Sequence, residues 1–402
     1  MASERARVLI AGGGIAGLET MLALHELAED RVEITLVAAE PEFTYRPMII
    51  EEPFSLAPAE RRDLGLMTRD LGVRFERGTL AGVDPEAHVA SLEGGESVTF
   101  DVAVVCVGGR SRAAYPSATT LRSWSEPIAI DEALDTAAAH PTRRIAFVVP
   151  PGVAWALPLY ELAMLSQRLA GDRHLELEMM IVSTETAPLA LFGSGPSEAV
   201  GELLGARGIA FVGDTAVEER EGEFVMRPGE RPLEAGAVVA LPLISGPGIT
   251  GLPADADGFI RIDQNARVVG CPDVFAAGDG TNFPIKQGGI GTQQADAAAE
   301  MIAARAGAEV DPQPFRPVLR GKLITGSESL SLRSEVSGGA GEGVASPDYL
   351  WWPPHKVGGR FLAPYLADAS SLSDLEPPGG TLDVEVALPV EWHREPMGLD
   401  PL

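Results

Sequence analysis

Cysteine, lysine and long apolar runs are what this sequence has least of. Two cysteines in 402 residues, Cys106 and Cys271, cannot build a disulfide framework. No Cys-x-x-Cys or Cys-x4-Cys pair exists, which excludes dithiol exchange of the glutathione- or thioredoxin-reductase kind. Six histidines fall at no metal-ligand spacing, so no metal site is expected. No stretch reaches the ~18 uninterrupted apolar residues of a membrane span. The first residues run into a strand with no signal-peptide core. Basic residues are few: 31 Lys and Arg against 58 Asp and Glu leave a net charge of −27. That charge repels nucleic-acid phosphates and an anionic lipid surface. The expected setting is the cytoplasm, with peripheral membrane association left open.

What the chain does have is glycine, 45 residues of it, in a composition that is 45% hydrophobic and 22% charged, as befits a globular protein of two or three domains. Arg7 to Ala11 is a short apolar run of the kind that forms a buried parallel strand. The loop Gly12-Gly13-Gly14-Ile15-Ala16-Gly17 follows, then a helical stretch to about Glu29, a second strand at Val32 to Val37, and Glu40. A G-x-G-x-x-G alone is weak evidence; in this strand–loop–helix–strand–acid context it marks a dinucleotide site. Gly12 allows the tight turn, Gly14 lets the backbone approach a pyrophosphate, and Gly17 lets helix and strand pack closely. The helix start at Ile15 and Ala16 supplies free N–H groups and the positive end of the dipole to the phosphates. Glu40, about twenty residues on, is placed to bond ribose hydroxyls.

A second cycle begins at Arg143. Ile145 to Val149 reads as a strand, Pro150-Pro151-Gly152 as its turn, Trp155 to Leu169 as a helix and Leu177 to Val182 as a strand. From about Pro242 the chain returns to the first unit, with strands at Gly258 to Asp263 and Val274 to Gly278, then a long Ala-rich helix from Gly288 to Ala306. Thr325 to Ser346, rich in Gly and Ser, reads as a loop or ribbon.

The strand Val274 to Gly278 ends in Asp279 and is followed by Phe283-Pro284-Ile285-Lys286-Gln287-Gly288-Gly289. On these residues and the first loop, the chain resembles the two-dinucleotide-domain flavoproteins of the pyridine nucleotide-disulfide oxidoreductase superfamily. The segment Phe43-Thr44-Tyr45-Arg46-Pro47 resembles its sulfide:quinone oxidoreductase and type II NADH dehydrogenase branch, in which this segment passes beside the flavin. The resemblance spans roughly residues 5–320. It implies an α/β fold of two Rossmann-like, three-layer domains, the second inserted in the first. The FAD domain would take residues 1–112 and 242–320, an NAD(P)-binding-like domain 113–241, and a C-terminal region 321–402.

FAD is the cofactor implied. Gly278 and Asp279 would meet its ribityl and phosphate side, and Arg46, Lys286, Gln287 and Gly288 would lie near the ring. Gly108, which ends the strand Val102 to Val107, matches a family glycine. NAD(P)H stays open, because the second turn keeps one glycine, Gly152, and sets Trp155 and Pro158 where small residues are expected. Glu185, after the following strand, could still meet a ribose. Trp155 also stands where the sulfide-oxidising relatives carry a cysteine, so that chemistry is not expected.

No proton donor or nucleophile is assigned from the sequence. The function expected is flavin-dependent oxidoreduction with a small-molecule donor and a quinone or small acceptor. A sulfide:quinone reductase-like flavoprotein with a non-nicotinamide donor, and a flavin-binding protein without turnover, are the alternatives. Trp351-Trp352-Pro353-Pro354 and Phe361 to Leu366 read as an interdomain clamp or homodimer contact, or else as a quinone or membrane patch. Lys356 and Arg360 are too few to anchor lipid.

Overall fold

The computed structural model describes residues 5–121, 129–326, 329–335 and 343–369, and within them two parallel five-stranded sheets dominate. The first sheet runs, edge to edge, Val274–Ala276, Val102–Val105, Ala6–Ala11, Val32–Ala38 and Arg74–Arg77. All its pairings are parallel, with Val8 opposite both Ile34 and Val102. The second runs Thr119–Thr120, Ala237–Ala240, Arg144–Val148, Glu178–Val182 and Ile209–Val212, again all parallel. Strands covered on both faces need apolar side chains at every position, which is why Val102 to Val105 is buried throughout and shows no alternation.

The chain leaves the first sheet after Val105 and rejoins it at Val274, and the second sheet is built in between. The outgoing leg Arg110–Arg112 and the returning leg Leu243–Ser245 run antiparallel side by side, with Arg110 opposite Ser245. The α/β architecture read from the sequence is the one observed. Two local readings differ, and a third is narrowed to one of its alternatives. The second-cycle helix spans Leu157–Asp172 and so starts after Trp155, because Pro158 has no N–H and fits only its first turn. Gly258 to Asp263 forms isolated bridges, not a strand, because the Asp255 and Asp263 carboxylates fold the backbone around it into tight turns. Within Thr325 to Ser346, the described residues form ordered antiparallel strands, Leu330–Glu335 pairing with Val318–Leu323 and with Val344–Ser346.

The described part of the C-terminal region packs on both domains. Its helix Leu362–Ala369 sinks Leu362 and Leu366 into the first domain's core, and Ala363 is buried beside them. Trp351 folds back to donate from its indole N–H to the His355 carbonyl at 2.8 Å, while its neighbour Trp352 is exposed. The helix start is held by Glu19, a carboxylate with no exposed surface on the helix Ile15–Leu27. Its two oxygens accept from the Phe361 and Leu362 N–H groups, each at 2.8 Å. Asp296, on the helix Gly288–Arg305, faces Glu19 and bonds to it, and Arg360 stands between Asp296 and Glu300.

Two buried carboxyls in contact cannot both ionise, so the pair holds a proton. Burial first, then the Glu19 charge, pushes Asp296 well above the usual carboxylate range. A carboxyl that binds its proton more tightly when folded gives stability that is full below the unfolded value and is lost as pH rises through the folded one. Asp296→Asn, whose amide donates to Glu19 at any pH, should therefore become increasingly more stable than the parent above about pH 4, by up to ~1.4 kcal/mol per pH unit. Thermal midpoints of both proteins across pH measure this, and a constant difference would refute the shared proton.

Candidate cofactor site

The site is built where two helices begin. The first helix starts at Ile15 with Gly14 as its N-cap, and no side chain caps it. Its first intrahelical bond runs from Leu18 N to Gly14 O at 2.9 Å, which leaves the Ile15, Ala16 and Gly17 amides outside the helical ladder. The long helix Gly288–Arg305 starts beside it: a Cβ on Gly288 would lie 3.1 Å from the Ile15 side chain, and one on Gly291 3.6 Å from Ala16. The strand Val274–Ala276 delivers Gly278 into the same corner, with φ +88° and a would-be Cβ 3.2 Å from Ala16.

The glycines of the first loop have separate jobs. A Cβ on Gly12, whose φ is +122°, would strike the Cys106 carbonyl at 2.2 Å, and one on Gly17 would strike Gly12 O at 1.8 Å. A Cβ on Gly14 would meet nothing within 4 Å. Gly12 and Gly17 thus close the turn, while Gly14 opens onto free space in front of a helix N-terminus, a cradle for an anion.

Charged groups converge on this corner in a chain whose net charge is strongly negative. Arg46 lies within Coulombic reach of Asp279 and Glu40. Glu40 is exposed just beyond the strand Val32–Ala38. Burial pushes the Asp279 carboxyl up from its ordinary value, and Lys286 and Arg46 pull it back. Lys286 donates to the Thr281 and Phe283 carbonyls at 2.5 and 2.8 Å and stands 3.5 Å from the Phe259 ring centroid. Desolvation lowers its pKa to about 8. Gly108, φ +73°, backs onto Gly280, whose added Cβ would lie 2.8 Å from its carbonyl oxygen.

The sequence-predicted residues Gly12, Gly14, Ile15, Ala16, Gly17, Arg46, Gly108, Gly278, Asp279, Lys286 and Gly288 are thus gathered around one corner, with Glu40 at its rim. The Gln287 side chain, at the start of the long helix, has structural partners. It caps the long helix by accepting from Ile290 N at 2.8 Å and ties it to the C-terminal strand by donating to Arg320 O at 3.0 Å.

Sequence reasoning missed the groups that hold this corner. Gln294, with no exposed surface, accepts from Gly278 N at 2.8 Å, and Thr281 Oγ1 donates to Gly278 O at 2.9 Å. The Tyr45 hydroxyl accepts from the Val357 N–H at 2.7 Å, which lays the C-terminal segment along the Tyr45–Pro47 stretch. Val357 also touches the start of the long helix: a Cβ on Gly288 would lie 2.9 Å from its side chain. Next to it, Lys356 Nζ donates to Pro47 O at 2.9 Å and to the Glu161 carboxylate at 2.6 Å. Glu161, on the second domain's helix, has no exposed surface and also accepts from Ile324 N at 2.9 Å. Glu51 and Lys322 complete this cluster electrostatically. Lysine scarcity was the usable signal: the chain has three lysines, Lys286, Lys322 and Lys356, and all three lie here.

The geometry fits FAD. Two helix starts meet a wall that only glycine and alanine can form, Gly14 leaves space for a pyrophosphate, and a carboxylate stands ready for each end of the dinucleotide. Neither cysteine has the setting of a nucleophile. Cys106 is buried under the loop beside Thr20, its thiol pushed up to about 12 by desolvation, and Cys271 is buried and likewise raised. Among the described residues no cluster suited to a metal ion is present, and no helix is long and apolar enough to cross a membrane.

Comparison with known proteins agrees with this geometry. Residues 6–301 match the family described as pyridine nucleotide-disulphide oxidoreductase. The chain is 26% identical over 340 residues to the alternative NAD(P)H-ubiquinone oxidoreductase C1, chloroplastic/mitochondrial, of Arabidopsis thaliana, covering 72% of this chain and 64% of that protein. It is 25% identical over 310 residues to the demethylphylloquinone reductase NdbB of a Synechocystis strain, covering 70% of this chain and 73% of that one. The chain thus spans less than two thirds of the Arabidopsis relative. In fold it is similar to the sulfide:quinone oxidoreductase of Aquifex aeolicus, with a TM-score of 0.76 at 18% identity over 85% of this chain and 87% of that one. A loop, an acidic turn and two convergent helices in this order, matched over most of the chain, make it a member of the pyridine nucleotide-disulphide oxidoreductase family.

Proposed function

We propose that the protein is an FAD-dependent oxidoreductase that delivers electrons from its flavin to a quinone. The observation that carries the flavin is the pair of helix N-termini meeting at Gly14, Gly278 and Gly288, with Asp279 and Arg46 beside them. Gly12, Gly14, Ile15, Ala16 and Gly17 hold the pyrophosphate, Glu40 a ribose, and Gly278 and Asp279 the ribityl side. In this reading the FAD domain takes residues 1–112 and 242–320, and Val357 of the C-terminal region lies against the start of its long helix.

The quinone reading is supported by the relatives' names and by the lysine–glutamate cluster. Bound FAD supplies two-electron transfer, and full reduction of a quinone also consumes two protons. The chain places proton-holding groups in sequence. A crevice of about 370 Å³ is lined by Lys322, Ser329, Pro347 and Tyr349, and Lys322 is in Coulombic reach of Glu51, Glu51 of Lys356 and Glu161. Burial raises the pKa values of Glu51 and Glu161 and lowers that of Lys322, which favours the neutral form of each. Lys356 donates to Pro47 O, on the segment that passes beside the cofactor corner, and so brings the cluster to the flavin. A lipid-dissolved quinone implies peripheral contact with a membrane.

Three variants test the two halves. Gly14→Ala adds a methyl where nothing stands, so it should keep the parent's fold and lose the oxidised-flavin absorption band, whereas Gly17→Ala should cost both. A Gly14→Ala protein that retains full flavin content would sink the assignment. Glu161→Gln should keep the flavin yet slow reoxidation of the chemically reduced protein by a soluble quinone by about 100-fold, the lower range for loss of an acid–base group. Unchanged reoxidation would remove the cluster from the reaction.

A further inference from the structure

The family's description implies a pyridine nucleotide in the second domain, and that domain does not fit one. The first domain turns from strand to helix through residues 12–14, whereas the second uses residues 149–156. Two of those, Pro150 and Pro151, have no N–H with which to cradle a phosphate. The helix that follows is capped by no side chain, yet its positive end offers little. Pro158 lacks its donor, and Leu159 N is taken by Ala156 O at 2.9 Å. Of the three amides that the first helix presents, this one keeps the Leu157 N–H alone.

The ribose position is occupied as well. Glu185, after the strand Glu178–Val182, accepts on Oε2 from the Tyr160 hydroxyl at 2.8 Å and from Ser183 Oγ at 2.9 Å, and the Ala190 backbone bonds to it too. Tyr160 is fully buried and also receives Leu189 N at 3.3 Å, so this bridge fastens the helix to the loop beyond the strand. Trp155 lies against Phe192, ring centroids 5.7 Å apart, across the same end of the sheet.

The sheet order changes direction between Arg144–Val148 and Ala237–Ala240, and there the switch-point crevice expected of an open α/β sheet is present. It measures about 640 Å³ and is lined by Pro150, Pro151, Tyr115 and Leu243 together with Glu218, Glu219 and Glu221, without a lysine or arginine. A pyrophosphate placed there would find carboxylates instead of amides.

We infer that the second domain has exchanged its dinucleotide seat for a bracing role, and that the flavin is reduced by a donor other than NADH or NADPH. Tyr160 braces the domain internally through Glu185, and the adjacent Glu161 braces the C-terminal region through Lys356 and Ile324. This rests on the flavin-dependent reading above, and the test separates the two.

Purified holoprotein is titrated anaerobically with NADH and with NADPH to about 1 mM, the upper end of ordinary KM values. Flavin absorbance and the nucleotide's own fluorescence are followed together, and photochemical reduction serves as the control. The expected result is an unchanged flavin band and unenhanced nucleotide fluorescence with both nucleotides, and full bleaching on photoreduction. Saturable bleaching or fluorescence enhancement by either nucleotide overturns the inference. A preparation without a flavin band overturns the flavin assignment instead, and the fluorescence titration of that same protein still decides whether the second domain binds a dinucleotide.

Discussion

Two helices from distant parts of the chain approach so closely that only small residues fit between their starts. Gly17 tolerates no Cβ because Gly12 O lies in its way, and Gly278 lies against both Ala16 on the first helix and Gly291 on the long one. This steric condition brings both helix N-termini to one corner, where their unpaired amides and dipoles add. The local field is then favourable to an anion although the whole chain carries a charge of −27. Gln294 and Thr281 hold the Gly278 turn in register, and Gln287 caps the second helix so that its start stays rigid.

Around that corner the C-terminal region is anchored by two buried glutamates, one from the glycine-turn helix of each domain. Glu19 receives two backbone N–H groups at Phe361 and Leu362, and Glu161 receives the Lys356 ammonium and the Ile324 N–H. Removing a carboxylate from water is costly, and each of these is offset by partners placed at hydrogen-bond distance. The segment between the two anchors carries Val357 over the helix starts, so closure of the cofactor corner depends on residues far beyond the dinucleotide fold.

The two domains share a supersecondary plan and differ in the turn that gives it chemistry. Both sheets are parallel, five-stranded and followed at the critical strand by a turn and a helix. In the first, glycines bring amides to the ligand; in the second, prolines remove donors and aromatic side chains fill the gap. Fold similarity therefore extends over the whole pair while the turns that could hold a phosphate differ between its halves.

The α/β architecture, the glycine loop and the acidic turn at Asp279 were legible because their signals are local: apolar runs for buried strands, glycine at fixed spacing, an acid after the next strand. The eroded second turn was legible in the same way from Pro150, Pro151 and Trp155. The sequence could not place the partners of Glu19, Glu161 and Lys356. Lys356 and Glu161 are 195 positions apart, and Glu19 and Leu362 343, and no periodicity connects positions so remote. The helix-capping role of Gln287 was equally out of reach, because its position relative to Ile290 and Arg320 is set by how the long helix packs on the C-terminal strands. Local stereochemistry thus determined which turns can hold phosphate, whereas tertiary packing decided which buried charges meet, since a charge can leave water only where the fold supplies its partner.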